Sequence, residues 1–510
     1  MLSLQTIAVA LTVAFNLSAG VSARQHPLTP SSWSAVSLQS PVDPSAAYDA
    51  GLFTPLNDLD ALSASEFTVL EHPAFPRHSV RVKQSRFCDE SVRAYTGYID
   101  AEARHLFFYF FESRRDPETD DVLFWTNGGP GSSSALGLFM ELGPCRMKGP
   151  NATERFEYSW NGHANVFFVD QPVGVGFSYA GYGEHVDNTF EAGKDIAVFM
   201  AIFFEHFTKF KGRALHLAGE SYAGRYLPVF GSAIYDQNAL LVERGMSPIN
   251  LTSVMIGNGG TERIAMITSW YEASCADPIF PPIEDLATCV RLKQMVTRCK
   301  KWLKEACDDH NDIIDCGAAV DTCWEALGGK YLGANPTRNP YDRARLCEGE
   351  EEFVGCYPGQ KDIEEYLSRP EVQETIGVDQ AVRGNFTVNN DELHVRFLKG
   401  GDLYNFPAEY YLEALLERGV RVLVYVGSND WVANWIENER MTLALEWTGS
   451  HAFRTQPLRN WLVDGEVAGM TRSGGGLTYA TIVDAGHMAP YDQPVRSLAL
   501  VNRWLAREQL

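Results

Sequence analysis

A chain of 510 residues, 45% hydrophobic and 21% charged, is globular in composition and long enough for one large domain carrying an insertion. Its 65 acidic against 43 basic residues give a formal net charge of −22. That balance argues against nucleic acid and anionic membrane surfaces as partners, because phosphate binding requires a basic face. Residues 1–23 hold an apolar run from Leu4 to Leu17 and end on small residues at Val21-Ser22-Ala23. They read as a secretory signal with no basic n-region, the alternative being a buried N-terminal helix. No other segment offers about 18 consecutive apolar residues, so no membrane span is expected. Residues 24–80 are rich in Pro, Ser and Ala and read as a pro-segment or an N-terminal arm.

From there strand-like runs recur: RHLFFYFFES, DVLFWTNGG, NVFFVDQP, ALHLAGES, LTSVMIGNG, VRVLVYVGSND and LTYATIVDAGH. Most are continuously apolar, as central strands covered on both faces are. Helical stretches lie between them, for example residues 189–207, where Phe190, Ile196, Phe199, Phe203 and Phe207 recur at helical spacing. The alternation predicts an α/β fold, a mostly parallel sheet with helices on both faces, with a first part over 81–260 and a second over 406–510. Residues 261–405 break the rhythm. Eight of the ten cysteines fall there, from Cys275 to Cys356, without the paired C-x-x-C knuckles of a zinc module. The segment reads as a disulfide-stapled lid inserted into the sheet domain, and a separate binding module would need linkers that do not stand out. Sequons at Asn151, Asn250 and Asn385 agree with a secretory route.

Two stretches, GFSYAG at 176–181 and GESYAG at 219–224, each put a serine in a Gly-x-Ser setting. A nucleophile elbow needs a buried strand, an abrupt turn and a helix starting at once. Around Ser221 all three follow in order, with Ala223 in place of the usual glycine and Pro228 early in the helix. Around Ser178 loop residues precede the serine and glycines follow it, so Ser178 reads as a loop serine satisfied by backbone. A serine hydroxyl needs a histidine to take its proton and an acid to orient that histidine. The last two strand-like runs deliver Asp430 and His487 at their ends, in the chain order the α/β-hydrolase plan requires. Asp484 competes for the acid role but lies on the same strand exit as His487. Acyl transfer also needs oxyanion donors, for which the backbone N–H groups of Gly129 and Tyr222 are the candidates. A phosphate loop would need a following Gly-Lys-Ser/Thr, which WTNGGPGSSS lacks.

With WTNGGPGSSS, YSWNGHANVFFVDQPVGVGFSY, GESYAGRYLP, IGNG, VYVGSNDWVANW and GHMAPYDQP in order, the chain from about residue 85 onward resembles the serine carboxypeptidases of the carboxypeptidase Y group. The resemblance implies that GFSYAG is not catalytic. It implies that Trp125, Asn127, Glu141 and Glu220 grip the substrate's terminal carboxylate, and that Met488 lines the pocket of the leaving residue. An acid can hydrogen-bond a carboxylate only while protonated, so peptidase activity favouring acidic pH is expected. The resemblance maps the lid cysteines as Cys275 with Cys289, Cys299 with Cys323, Cys307 with Cys316, and Cys347 with Cys356. The group's cysteine after GGPG is Ser132 here, and its far partner near Asn385 is missing as well. Cys88 and Cys145 remain and are expected to bond to each other. Ser428 stands where the group often has another aspartate, and Ala433 falls in the region lining the pocket for the residue before the cut.

The expected activity is serine-type release of C-terminal residues, with peptide or protein chains bearing a free C-terminus as partners and no cofactor or metal. Acyl transfer to a small molecule on the same triad is the alternative, and a non-catalytic hydrolase-fold binding protein a third. The expected location is secreted, with a vacuolar or lysosomal lumen as the other possibility.

Overall fold

A computed structural model describes residues 55–310, 312–332, 338–347 and 356–510. The signal-like stretch and the beginning of the N-terminal arm lie outside the described residues. The strands are β1 (Thr68–Glu71), β2 (His78–Ser85), β3 (Ala94–Ala101), β4 (Arg104–Phe111), β5 (Val122–Thr126), β6 (Cys145–Met147), β7 (Thr153–Arg155), β8 (Asn165–Val169) and β9 (Tyr179–Ala180). They continue with β10 (Ala214–Glu220), β11 (Asn250–Gly257), β12 (Arg338–Asn339), β13 (Asp342–Leu346), β14 (Arg421–Gly427), β15 (Arg459–Val463), β16 (Glu466–Gly474) and β17 (Leu477–Ile482). One large sheet runs in the order β1-β2-β3-β4-β8-β5-β10-β11-β14-β17-β16-β15. Its middle, from β8 to β17, is parallel. Its flanks are antiparallel.

The parallel strands are the continuously apolar runs, and every residue of β5, β8 and β17 is buried. Each face needs its own cover. Helices α1 (Thr189–His206) and α2 (Ala223–Glu243) close one face, where Phe110, Phe167, Phe199 and Phe203 interlock. Such aromatic pairs contribute about 0.5–1.5 kcal/mol each beyond area burial. Of the five residues read as the helix's apolar stripe, Phe190 departs: it is 37% exposed and packs on Phe406 and Tyr411. The C-terminal helix Pro494–Leu505 helps close the other face with Leu500, Val501 and Trp504. The stretch read as an arm supplies strand β1 and the start of β2, which runs on to Ser85 in the part read as sheet domain.

β11 pairs directly with β14, so residues 258–420 leave and re-enter the sheet between adjacent strands. Helices α3 (Arg263–Cys275), α4 (Leu286–Leu303) and α5 (Ile313–Leu332) form a small core of their own around Trp270, Leu303 and Val320. Disulfides Cys275–Cys289, Cys299–Cys323 and Cys307–Cys316 staple it, Cys347–Cys356 closes the segment after β13, and Cys88–Cys145 ties the antiparallel flank. A disulfide typically contributes about 2–4 kcal/mol, which suits a helical insertion with little core. The insertion docks on the sheet domain through Trp431, which stacks on Trp270 at 5.2 Å.

Candidate active site

β10 ends at Glu220 and α2 begins at Ala223, leaving only Ser221 and Tyr222 for the turn. Ser221 sits at φ +65°, a conformation that costs a non-glycine residue energy and that the surroundings must hold. They do so from both sides: Ser221 N donates to Gly257 O at 3.0 Å, while Gly224 N and Gly260 N donate to Ser221 O. Alanine at 223 is accommodated because the facing residue of β10 is Gly219, where a Cβ would lie 2.7 Å from the Ala223 methyl. Ser178 is spent on backbone: its Oγ donates to Asp170 O at 2.6 Å and accepts from Phe107 N at 2.7 Å.

The ends of β11, β14 and β17 lie beside the elbow. Asp430 Oδ2 accepts from His487 Nδ1 at 2.6 Å and from Asn258 Nδ2 at 2.8 Å, and its Oδ1 accepts from Val432 N. Asn258 follows β11 directly and also accepts from Gly427 N through Oδ1, so one amide links the strand beside the elbow to Asp430. Asp430 is fully buried and His487 is 4% exposed. Asp484 lies away from the imidazole, with its carboxylate near Arg496 at the surface. Ser221 Oγ and His487 Nε2 are not hydrogen-bonded to each other; such contacts often tighten only around substrate.

Gly128 and Gly129 press against the elbow. A Cβ on Gly128 would lie 2.4 Å from Tyr222 N and 2.6 Å from Glu220 O, so only glycine fits. Among the described residues the N–H groups of Gly129 and Tyr222 have no backbone or side-chain acceptor, which leaves two donors beside the serine. The ring of Tyr222 is anchored away from them, its OH donating to Asp402 Oδ2 at 2.7 Å.

Asn127 gathers the remaining polar groups. Its Oδ1 accepts from Trp125 Nε1 at 2.8 Å and Gly137 N at 3.0 Å, and its Nδ2 faces Glu141 Oε1 at 3.1 Å and Glu220 Oε1 at 3.5 Å. The two carboxyls are fully enclosed and close enough to hydrogen-bond each other. Burial first, then the charge of Glu141, pushes the Glu220 carboxyl far above the ordinary carboxylate range. Burial also raises Glu141, opposed by hydrogen bonds with Glu220 and Asn127. Two such acids share a proton, because both cannot ionise in one dry pocket. Met488, 6% exposed, begins the turn Ala489–Asp492 and belongs to the apolar cluster that includes Met140, Tyr357 and Tyr425.

The chain matches the family described as serine carboxypeptidase over residues 86–507. It is 37% identical to carboxypeptidase Y of Komagataella phaffii over 445 residues, covering 86% of this chain and 81% of that one. To carboxypeptidase Y of Saccharomyces cerevisiae it is 38% identical over 451 residues, again covering 86% and 81%. The vacuolar serine-type carboxypeptidase ATG42 of the same yeast is 36% identical, with 83% and 81% covered. The chain belongs to the serine carboxypeptidase family. In fold it is similar to the crystal structure of Kex1(delta)p, a prohormone-processing carboxypeptidase from Saccharomyces cerevisiae, with a TM-score of 0.69, 20% identity, and 86% and 93% of the two chains covered.

In this serine carboxypeptidase the position after GGPG is tied without sulfur. Ser132 Oγ donates to Asn389 Oδ1 at 2.8 Å, the two residues form an antiparallel bridge, and the flanking backbones bond through Ser133 N to Val388 O and Asn390 N to Gly131 O. Three polar residues of the site were given no role from the sequence: Asn258, although it stands in the IGNG motif, Asp402 and Arg343. Asn258 alone had a usable signal, a polar residue at the carboxyl end of an apolar strand.

Proposed function

We propose that Ser221, His487 and Asp430 carry the reaction of this carboxypeptidase, and that the Glu141–Glu220 pair makes it an exopeptidase favouring acidic pH. His487 Nε2 takes the Ser221 proton as Oγ attacks the last peptide carbonyl, while Asp430 holds Nδ1–H in the required tautomer. The oxyanion develops against the N–H groups of Gly129 and Tyr222. His487 then protonates the departing amine, the C–N bond breaks, and the terminal amino acid leaves an acyl-enzyme. Water adds to that ester with His487 again accepting a proton, and Ser221 is restored.

The observation that carries this reading is the enclosed pair of glutamates on Asn127, of which Glu220 directly precedes the nucleophile. A protonated Glu220 and the Asn127 amide donate to a terminal carboxylate, with Trp125 fixing the amide's orientation. Once both glutamates ionise they repel it. Met488 and the aromatic residues around it receive the leaving side chain. Residues 1–23 direct the chain into the secretory pathway, with the vacuolar lumen of the yeast relative or the exterior as its destination, and residues 261–405 act as the lid. Exposure of Asn151, Asn250 and Asn385 supports glycosylation at all three.

The test is covalent labelling by a fluorophosphonate together with product analysis on a blocked dipeptide. One label per chain on Ser221, and free amino acid as the product, are expected. Absence of labelling, or acyl transfer to alcohols outrunning hydrolysis in dilute acceptor, overturns the reading.

A further inference from the structure

The loops carrying Asp430 and His487 leave neighbouring strands whose pairing stops at Gly427 and Ile482. Beyond that point they touch through Ser428 N to Ile482 O, Asn429 N to Ala485 O and Asp484 N to Ser428 Oγ. Their remaining backbone groups need other partners, since a buried unpaired amide is costly. One short piece of the insertion, the β12–β13 hairpin, supplies them to both loops. Pro340 O accepts from Trp431 N at 3.1 Å, and Tyr341 O accepts from His487 N at 2.7 Å. The Tyr341 ring lies 5.0 Å from the imidazole. Gly486 lets the hairpin come this close: a Cβ there would lie 2.4 Å from Tyr341 O and 2.7 Å from Asp342 Cβ.

Arg343 fixes the other end of the hairpin. Its backbone N–H donates to Asn429 O at 3.0 Å. Its guanidinium, 1% exposed, donates to Asn429 O at 3.3 Å, Ser428 O at 3.2 Å and Ala273 O at 2.9 Å, and pairs with Asp277 at 2.8 Å. Asn339 shapes the turn, accepting from Tyr341 N through Oδ1 and donating to Cys356 O. A buried arginine spent on three carbonyls, two of them immediately before the triad acid, is more than a lid needs to stay attached. A rigid fork of donors sets the position of those carbonyls in a way that a lysine point charge cannot.

We infer that the β12–β13 hairpin braces the catalytic pair, with Arg343 as a positioning residue that holds the Asp430 loop in register with His487. The inference rests on the triad reading above. It assigns the insertion a part in the chemical step in addition to covering the site. Misplacement of catalytic groups by about 1 Å costs on the order of 100-fold in rate, so the signature is in kcat.

The test compares wild type, Arg343→Lys, Asn339→Ser and Asp277→Asn, each titrated with a fluorophosphonate so that rates are expressed per reactive Ser221. Arg343→Lys keeps the charge opposite Asp277 but loses the fork. It is expected to lower kcat about 10- to 100-fold with KM within about threefold. Asn339→Ser loosens the turn that presents Tyr341 O and carries the same expectation independently, so failure of one variant to fold leaves the other to decide. Asp277→Asn leaves the three carbonyl contacts in place and is expected to lower thermal stability while kcat per titrated site stays within about twofold. The brace is overturned if Arg343→Lys or Asn339→Ser, once folded, keeps the wild-type kcat. It is also overturned if Asp277→Asn loses kcat as fully as they do, which would tie the loss to lid stability. A wild-type enzyme that takes no label on Ser221 contradicts the triad reading instead.

Discussion

At the residue scale the proposed activity divides between an oxygen to be made nucleophilic, on Ser221, and a pair of acids, Glu141 and Glu220, to be kept partly protonated. Ser221→Ala removes the first and is expected to lower kcat by about 10⁴-fold or more while the protein still binds peptide, measured by steady-state assay and by equilibrium binding of a substrate. Glu220→Gln probes the second. A glutamine donates a hydrogen bond at every pH, whereas Glu220 donates only until its raised pKa is passed. The wild-type KM for a peptide with a free C-terminus should therefore climb as pH rises, by about tenfold or more for a lost charge-assisted bond, and the variant's profile should be much flatter. KM values for one substrate between pH 4.5 and pH 8 decide this, and parallel profiles would remove Glu220 from carboxylate recognition.

At the scale of elements the elbow depends on how closely the glycine loop after β5 approaches it. In Gly128→Ala the new Cβ overlaps Tyr222 N, displacing the loop that carries the Gly129 donor. A loss of about 10²–10³-fold in kcat is expected, with slower fluorophosphonate labelling as the second readout. The Ser132–Asn389 bridge offers the opposite change. Antiparallel partners lie within disulfide reach, so Ser132→Cys with Asn389→Cys should oxidise spontaneously and raise the melting temperature, an increment that reductant removes. The parallel strands and the residues at their ends were legible in the sequence because doubly covered strands leave unbroken apolar runs, and Asp430 and His487 sit where those runs stop. The antiparallel flanks were harder to read. β1 and β2 interrupt their buried residues with partly or fully exposed ones, and β16 exposes Glu466, Val467, Met470 and Ser473. The hairpin bearing Arg343 was illegible for another reason: its job is to satisfy backbone carbonyls of a distant loop, and no local spacing encodes that. Phe190 kept helical spacing yet stands at the edge of the apolar face, where Phe406, just after the stretch read as the lid, meets it.

At the scale of the whole molecule, buried carboxyls tie the stability of the fold to pH. Burial lifts Asp170 and Asp492 to about 6 and Glu409 to about 7, and raises Glu262 and, far more strongly, Glu437. Each folded value lies above the value of roughly 4 expected in the unfolded chain, so the folded state keeps protons that the unfolded state releases. For Asp170, Asp492 and Glu409 that contribution is complete below about pH 4 and is lost as pH rises through 6 to 7. Asp89 and Asp100 work the other way. Against burial, hydrogen bonds from Ser91 and Arg114, and from His105 and Arg81, hold them below the usual range, so their contribution fades as the medium becomes strongly acidic. Thermal denaturation is expected to show a maximum melting temperature near pH 5 and a clear decline by pH 8; a maximum at or above neutrality would contradict the balance drawn here. The central claim, that a shared proton on Glu141 and Glu220 makes this hydrolase ask for a free C-terminus, is tested most directly by one comparison. A blocked dipeptide and its C-terminal amide are hydrolysed side by side from pH 4.5 to pH 8. The account predicts that kcat/KM for the free acid exceeds that for the amide at pH 5 and falls as pH rises, so that the two converge. Equal rates at pH 5, or a preference for the free acid that grows with pH, would contradict it.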